Sequence, residues 1–269
     1  PDTNTLLGEV PEIKNFFFFF CLNSSGIGSG GGVGEVTAVG LMTGHINEDI
    51  FCYDIKRFQK FHPELGFIKE RIKESWGDLF GVHCTFKQYK TSRNIKKLPH
   101  HEILKSFGAC FGVSGGYERP MWFALNGEKA EYQYSYNYQN WYPSAEYETN
   151  NTIKNVGLFD LTPFSKFEII SDNAHQELQK ICTANIKNEV GKCSYTQMLN
   201  SDGGIETDLT VICLDKNYFR IVSSAATRER DKFHIKKHLS KEIELRDVTD
   251  DYCVFGLFGP KSRDLLKTI

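Results

Sequence analysis

Tyr195-Thr196-Gln197-Met198-Leu199-Asn200, then Ser201-Asp202, then Gly203-Gly204-Ile205-Glu206-Thr207-Asp208-Leu209-Thr210-Val211, read as two strands and the turn between them. The two glycines can supply the positive φ that a tight hairpin demands. The second strand alternates, with Ile205, Thr207, Leu209 and Val211 on one face and Glu206, Asp208 and Thr210 on the other. One face is therefore suited to packing and the other is polar. Asp208 is the residue to weigh, because a carboxylate on the open face of a strand is either a solvated surface group or part of a site. The alternation alone leaves both open.

Around this hairpin lie 269 residues, 40% hydrophobic and 25% charged, an ordinary globular composition that can bury a core in one large or two modest domains. The net charge of −2, with no basic stripe, speaks against nucleic acid or an anionic membrane and for small-molecule partners. Eight cysteines, none spaced as Cys-x-x-Cys and most inside apolar runs, predict buried, reduced thiols rather than a disulfide frame or a zinc site. No metal is expected either at His83, His100 and His101, which lack a carboxylate or cysteine at ligand spacing. There is no charged-then-apolar leader and no span long enough for a membrane. The chain starts with Pro1, and Gly259-Pro260-Lys261-Ser262-Arg263-Asp264-Leu265-Leu266 begins a helix that the sequence does not finish. A piece of a longer protein is the expectation.

The N-terminal block reads as strand, glycine loop and helix. Phe16 to Phe20 is an unbroken aromatic run, expected to form a central strand covered on both faces. After it come Asn23-Ser24-Ser25-Gly26-Ile27-Gly28-Ser29-Gly30-Gly31-Gly32-Val33-Gly34 and a helix over about 31–42, closed by Gly44. Such a loop lets backbone N–H groups approach a phosphate or a flavin ring. Gly26, Gly28 and Gly31 also satisfy G-x-G-x-x-G, with Glu48 or Asp49 roughly 20 residues on, so the start of a dinucleotide-binding domain is one alternative. Against it, no parallel apolar strands follow Asp54. Further on, Leu65, Ile68, Ile72, Trp76 and Leu79 predict one apolar helix face packed on a core.

Gly115 to Phe123 is expected to mark a domain junction, and the alternating aromatics from Tyr132 to Tyr142 an extended connection. The second half predicts helices at about 145–156, 172–182 (capped by Asp172) and 227–239. It predicts strands at 157–161, 166–170 and 218–223, and near Ile243 and Val254. This segregated pattern is α+β.

Several motifs resemble one family in their order. Gly8-Glu9-Val10-Pro11-Glu12, Asn23-Ser24-Ser25-Gly26-Ile27 and Gly30-Gly31-Gly32-Val33-Gly34 resemble the closing part of the flavin domain in dimethylglycine and sarcosine dehydrogenases. Asp54-Ile55-Lys56-Arg57-Phe58, Gly116-Tyr117-Glu118-Arg119-Pro120-Met121-Trp122-Phe123, Asn140-Trp141-Tyr142 and Gly157-Leu158-Phe159-Asp160-Leu161 resemble its linker and tetrahydrofolate domain. The hairpin at 195–211 resembles the folate-binding core shared with the glycine-cleavage aminomethyltransferase. Cys21, Leu22, Glu35 and Val39-Gly40 depart from the pattern, and Gly40 is expected to loosen its helix by on the order of 1 kcal/mol.

The resemblance implies a mixed α+β and α/β fold in three parts. These are the tail of a D-amino-acid-oxidase-type FAD domain (1–57), a central linker domain (58–115) and an incomplete aminomethyltransferase-like folate domain (116–269). It implies FAD and tetrahydrofolate as cofactors. Gly26, Ile27, Gly28, Gly30, Gly31 and Gly32 would lie at FAD, Tyr195 and Asp208 at tetrahydrofolate, and Asp208 would be the catalytic carboxylate. The implied reaction takes a hydride from an N-methyl group of dimethylglycine or sarcosine to the flavin and passes the carbon to tetrahydrofolate. Implied too are an electron-transfer flavoprotein as acceptor and, for a eukaryotic source, the mitochondrial matrix; otherwise the cytoplasm. Two other readings stay open: a non-catalytic relative such as the pyruvate dehydrogenase phosphatase regulatory subunit, and a free-standing aminomethyltransferase.

Overall fold

Residues 2–46, 48–125 and 127–269 are described by the structure, a computed structural model. In chain order the first elements are β1 (Leu6–Glu9), β2 (Phe17–Phe20), α1 (Gly26–Thr43) and α2 (Leu65–Asp78). Then come α3 (His101–Ser106), β3 (Ala109–Ser114), β4 (Tyr117–Phe123), α4 (Tyr142–Lys154), β5 (Gly157–Asp160), β6 (Ser165–Ile170) and α5 (Ala174–Ile181). The last are β7 (Cys193–Leu199), β8 (Ile205–Asp215), β9 (Tyr218–Ser223), α6 (Arg228–His238), β10 (Leu245–Asp247), β11 (Phe255–Phe258) and α7 (Ser262–Leu266). These form two compact units, each made of two stretches. One joins the chain up to Ile68 with Phe164–Thr249; the other joins Lys69–Pro163 with Asp250–Ile269.

The first unit is built on an antiparallel five-stranded sheet of order β10-β6-β9-β8-β7. Its period-2 alternation gives one apolar face. Phe167 and Ile169, Met198, Leu209, Val211 and Cys213, and Phe219 and Ile221 form one buried cluster with Leu178 of α5 and Ile235 of α6. Each fully buried side chain of this size is worth roughly 1.5–3 kcal/mol. The helix expected over 172–182 starts at Ala174 behind Asn173, and no side chain caps it. Asp172 instead accepts a hydrogen bond from Asn217 Nδ2 at 2.6 Å.

The same unit holds the N-terminal block, which departs most from expectation. The aromatic run is not a central strand. Among the described residues β2 pairs only with β1 in a two-stranded ribbon, and Phe16, Phe19 and Phe20 are exposed. The expected glycine loop is helical as well, since α1 begins at Gly26 and so takes in all the glycines from Gly26 to Gly34. The left-handed residues that a loop needs lie just upstream, at Cys21, Asn23 and Ser24. Gly44, with φ 79°, does close the helix as expected, its N–H bonding Gly40 O. Gly40 is buried, and a Cβ there would stand 2.8 Å from Ile46 Cγ1, so this glycine lets the helix approach Ile46 closely.

In α2 the buried residues are Phe67, Arg71 and Ser75, whereas Leu65, Ile72 and Trp76 face outward. The apolar spacing is therefore helical, but the buried stripe joins Phe67 to two polar residues. Arg71 Nη2 donates to Thr91 O at 2.7 Å, and Glu74 accepts from the backbone of Lys90 and Thr91, each at 2.8 Å. In the second unit β3 and β4 form a hairpin turned by Gly115 and Gly116, both at positive φ. Glu118 is buried under Arg93, which donates from Nε and Nη2 at 2.7 and 2.6 Å. β5 pairs with β11, and no element interrupts the residues described between β4 and α4. All eight cysteines are free; Cys110, Cys182 and Cys213 are buried, but Cys52, Cys193 and Cys253 are exposed, so burial holds for only some of them.

Candidate functional site

The hairpin folds as its sequence dictates. Gly203 takes φ 83°, and Asn200 organises the turn: its Oδ1 accepts from Gly204 N at 2.8 Å and from Asp202 N at 3.1 Å. The register sets Gln197 opposite Asp208 and Tyr195 opposite Thr210. Tyr195 and Asp208 are thus diagonal neighbours on the polar face, within reach for an aromatic side chain. Tyr195 Oη donates to Asp208 Oδ2 at 2.9 Å. Both residues are exposed. The hydrogen bond to a carboxylate raises the Tyr195 pKa above its ordinary value, which keeps the phenol a donor. The structure thus brings together the two folate residues expected from the sequence.

Around them lie residues that sequence reasoning missed. The β7–β8 register shifts between Met198 and Leu199, which face Thr207 and Ile205, so Glu206 is a bulge. Bulges re-aim side chains, and Glu206 meets Arg230 of α6 at 2.7 Å. Burial would raise the Glu206 pKa, but the Arg230 hydrogen bond and charge outweigh it and hold the group below the usual range. Next to Arg230, Asp231 is buried, and Thr227 Oγ1 donates to its Oδ2 at 2.7 Å. Burial lifts its pKa to about 6, opposed by the hydroxyls of Ser223, Thr227 and Thr207. His234, one turn on, is pushed down to about 4 by burial and by the His238 charge.

At the turn, His45 Nε2 bonds Asp202 Oδ2 at 2.8 Å while Ser201 Oγ lies 3.1 Å from Nδ1. Lys237 Nζ of α6 donates to Gly44 O at 3.0 Å. No local motif marks these pairs, since His45 and Asp202 are 157 residues apart.

The expected flavin residues Gly26, Ile27, Gly28, Gly30, Gly31 and Gly32 lie in the first two turns of α1. The N–H groups of Gly26, Ile27 and Gly28 precede the first intrahelical bond, from Ser29 N to Ser25 O at 2.9 Å. A Cβ at Gly28, Gly30, Gly31, Gly32 or Gly34 would meet nothing within 4 Å, and Ile27 is fully exposed. The glycines are thus not required by packing within this chain. They leave the first two turns of the helix bare over much of their circumference, so that a broad planar group can approach the backbone closely. Among the described residues no group of His, Cys, Asp or Glu could hold a metal ion, and no helix is long and apolar enough to cross a membrane.

Residues 100–269 match the GCVT N-terminal domain, more than half of the chain. The chain belongs to that family. Residues 43–97 match the FAD dependent oxidoreductase central domain. All of the chain aligns at 35% identity with 4-methylaminobutanoate oxidase (formaldehyde-forming) of Paenarthrobacter nicotinovorans, covering 33% of that protein. At 28% identity it aligns in full with the mitochondrial pyruvate dehydrogenase phosphatase regulatory subunit of Mus musculus and with mitochondrial sarcosine dehydrogenase of Homo sapiens, covering 31% and 34% of them. The chain thus spans about a third of the length of these relatives. The glycine cleavage system aminomethyltransferase T of Bartonella henselae shares the fold, with a TM-score of 0.53 and 22% identity over 64% of this chain and 43% of that one. The GCVT assignment covers the five-stranded sheet and with it Tyr195 and Asp208.

Proposed function

We propose that this chain is part of a flavin-dependent enzyme that oxidatively demethylates an N-methylated glycine, dimethylglycine or sarcosine, and hands the one-carbon unit to tetrahydrofolate. The observation that carries the reading is the Tyr195–Asp208 pair, open on the polar face of β7–β8 in a GCVT-family sheet. The flanking match to an FAD dependent oxidoreductase central domain and the oxidase and dehydrogenase relatives support the flavin half. When bound, the flavin supplies the oxidation and the folate accepts the carbon.

The roles left to this chain are binding and orientation. Asp208 offers its remaining carboxylate lone pairs to the N–H edge of a pterin, Tyr195 adds an aromatic body and a phenol oxygen beside them, and the carboxylate favours a cationic reacting group. The first two turns of α1, with Gly26, Ile27, Gly28, Gly30, Gly31 and Gly32, would lie near the flavin, with free N–H groups and the helix N-terminus favouring negative charge. Within this reading residues 1–57 are the tail of the flavin domain, 58–115 the central linker and 116–269 the folate domain; the two family matches run in the same order. An electron-transfer flavoprotein as acceptor and, in a eukaryote, the mitochondrial matrix complete the proposal.

A second reading, a non-catalytic regulatory relative, is favoured by the alignment of all of this chain to 31% of the phosphatase regulatory subunit. Calorimetric titration of the chain with tetrahydrofolate, native against Asp208→Ala, separates the two. The enzyme reading expects binding that weakens at least about tenfold, or 1.4 kcal/mol, in the variant. Native binding that is absent, or unchanged by the substitution, defeats it.

A further inference from the structure

Asp208 sits where its strand is least well held. Among the described residues β8 pairs with β9 only from Thr210 onward. Between Ile205 and Leu209 its ladder partner is β7 alone, and that pairing is broken by the bulge at Glu206. A bulged, singly paired segment twists and bends more readily than a doubly paired one, so the ladder by itself leaves the direction of the Asp208 side chain loosely fixed.

One residue of α6 meets this gap. Arg230 Nη2 donates to Glu206 Oε2 at 2.7 Å, on the bulged residue itself, two positions before Asp208. Asn200 Nδ2, from the turn, reaches Glu206 Oε1 at 3.4 Å. The other end of the grip is anchored: Thr227 at the helix start holds Asp231, and Ile235 one turn on is fully buried in the core cluster.

We propose that α6 is the positioning element for Asp208, gripping the bulge two residues before it through Arg230 on Glu206. Arg230 does not touch the ligand. It fixes the strand so that the Asp208 carboxylate meets Tyr195 Oη, and hence so that the two side chains are presented together. The inference deepens the folate reading and rests on it for its purpose, but the geometry it asserts can be read without folate.

Its test is the titration of Tyr195 in the 269-residue chain, followed by NMR of ring-labelled tyrosine assigned with Tyr195→Phe. In the native chain the Asp208 hydrogen bond raises that titration. Arg230→Ala and Glu206→Ala are expected to lower its midpoint toward the ordinary value of about 10, and Arg230→Lys to restore most of the shift. Arg228→Ala is the control for general damage: it removes an ion pair of the same helix, to Asp247 of β10 at 2.9 Å, and should leave Tyr195 unmoved. A Tyr195 midpoint unchanged in both Arg230→Ala and Glu206→Ala, or lowered equally by Arg228→Ala, overturns the proposal. If Arg230→Ala fails to fold, Glu206→Ala and Arg230→Lys decide by the same readout. Tetrahydrofolate titration of these variants then judges the purpose. Affinity should fall about tenfold or more where Tyr195 has moved, since small misplacements of a binding group are costly. A native chain that shows the Tyr195 response yet binds no folate sinks the folate reading and leaves the positioning intact.

Discussion

The five-stranded sheet and the N-terminal block belong to the same unit, yet they differ in what fixes them. In the sheet, Phe167, Ile169, Phe219 and Ile221 are fully buried, and their partners come from this chain. In the block, Phe16, Phe19, Phe20, Ile27 and Met42 are exposed, and the glycines from Gly28 to Gly34 have open space where a Cβ would stand. The aromatic run of the sheet's inner face reports a core, whereas that of the block reports mostly an apolar surface. The same hydrophobic signal in sequence thus has two structural meanings, and contact decides between them.

The sharpest way to break this contrast is to truncate one aromatic from each region. Phe219→Ala should cost about 3–5 kcal/mol in denaturant unfolding, against less than about 1 kcal/mol for Phe20→Ala. Equal losses would mean that the block is packed after all.

Charge sharpens it next. Burial of Asp231 raises its pKa to about 6, above the value of about 3.9 for an unfolded chain. For an acid so shifted, the protonated form is favoured on folding, so the cost is absent below about pH 4, grows up to about pH 6 and stays thereafter. Asp231→Asn should therefore stabilise the chain at pH 7 by about 2 kcal/mol and do nothing near pH 3.5. Asp247 has the opposite sign. Burial would raise it, but hydrogen bonds from Arg228 and Thr249 win and hold it at about 2. Its contribution is present above about pH 4 and lost as the pH falls toward 2, so Asp247→Asn should destabilise by about 2 kcal/mol at pH 7 and by little at pH 2. Melting curves against pH check both signs.

Smallest are the glycines of α1. Gly31→Ala has open space at a helical position and should stabilise the chain by about 0.5–1 kcal/mol. Gly40→Ala should do the reverse, because Ile46 and Phe17 crowd the site. A Gly31→Ala variant that unfolds more easily would show that α1 is held by contacts within the chain.

Much of the second half was legible because each element buries its own pattern. β9 matches its expected limits, α6 starts and ends within a residue of them, and the Tyr195–Asp208 diagonal follows from alternation plus a two-glycine turn. The N-terminal block was misread for a physical reason: a five-phenylalanine run looks the same at a ribbon edge as at the centre of a sheet. Successive glycines carry no propensity that would announce a helix, and α2 hides its polar stripe because Arg71 finds backbone carbonyls rather than solvent. The grip of α6 on β8 was illegible for another reason. Glu206 and Arg230 stand 24 positions apart, with nothing local to join them.

Helix α1 carries a last consequence. Its C-terminal end is tied to the hairpin turn through His45 and Asp202, and its glycine-rich start lies about 25 Å away at a rise of 1.5 Å per residue. A rod anchored at one end has a phase as well as a length. Inserting a single residue within it would slide the glycine-rich turns by about 1.5 Å and also rotate them by about 100°. Substitutions at the open glycines from Gly28 to Gly34 can be absorbed within the chain, but insertions and deletions in α1 cannot, and natural variation in chain length should fall in the flanking turns.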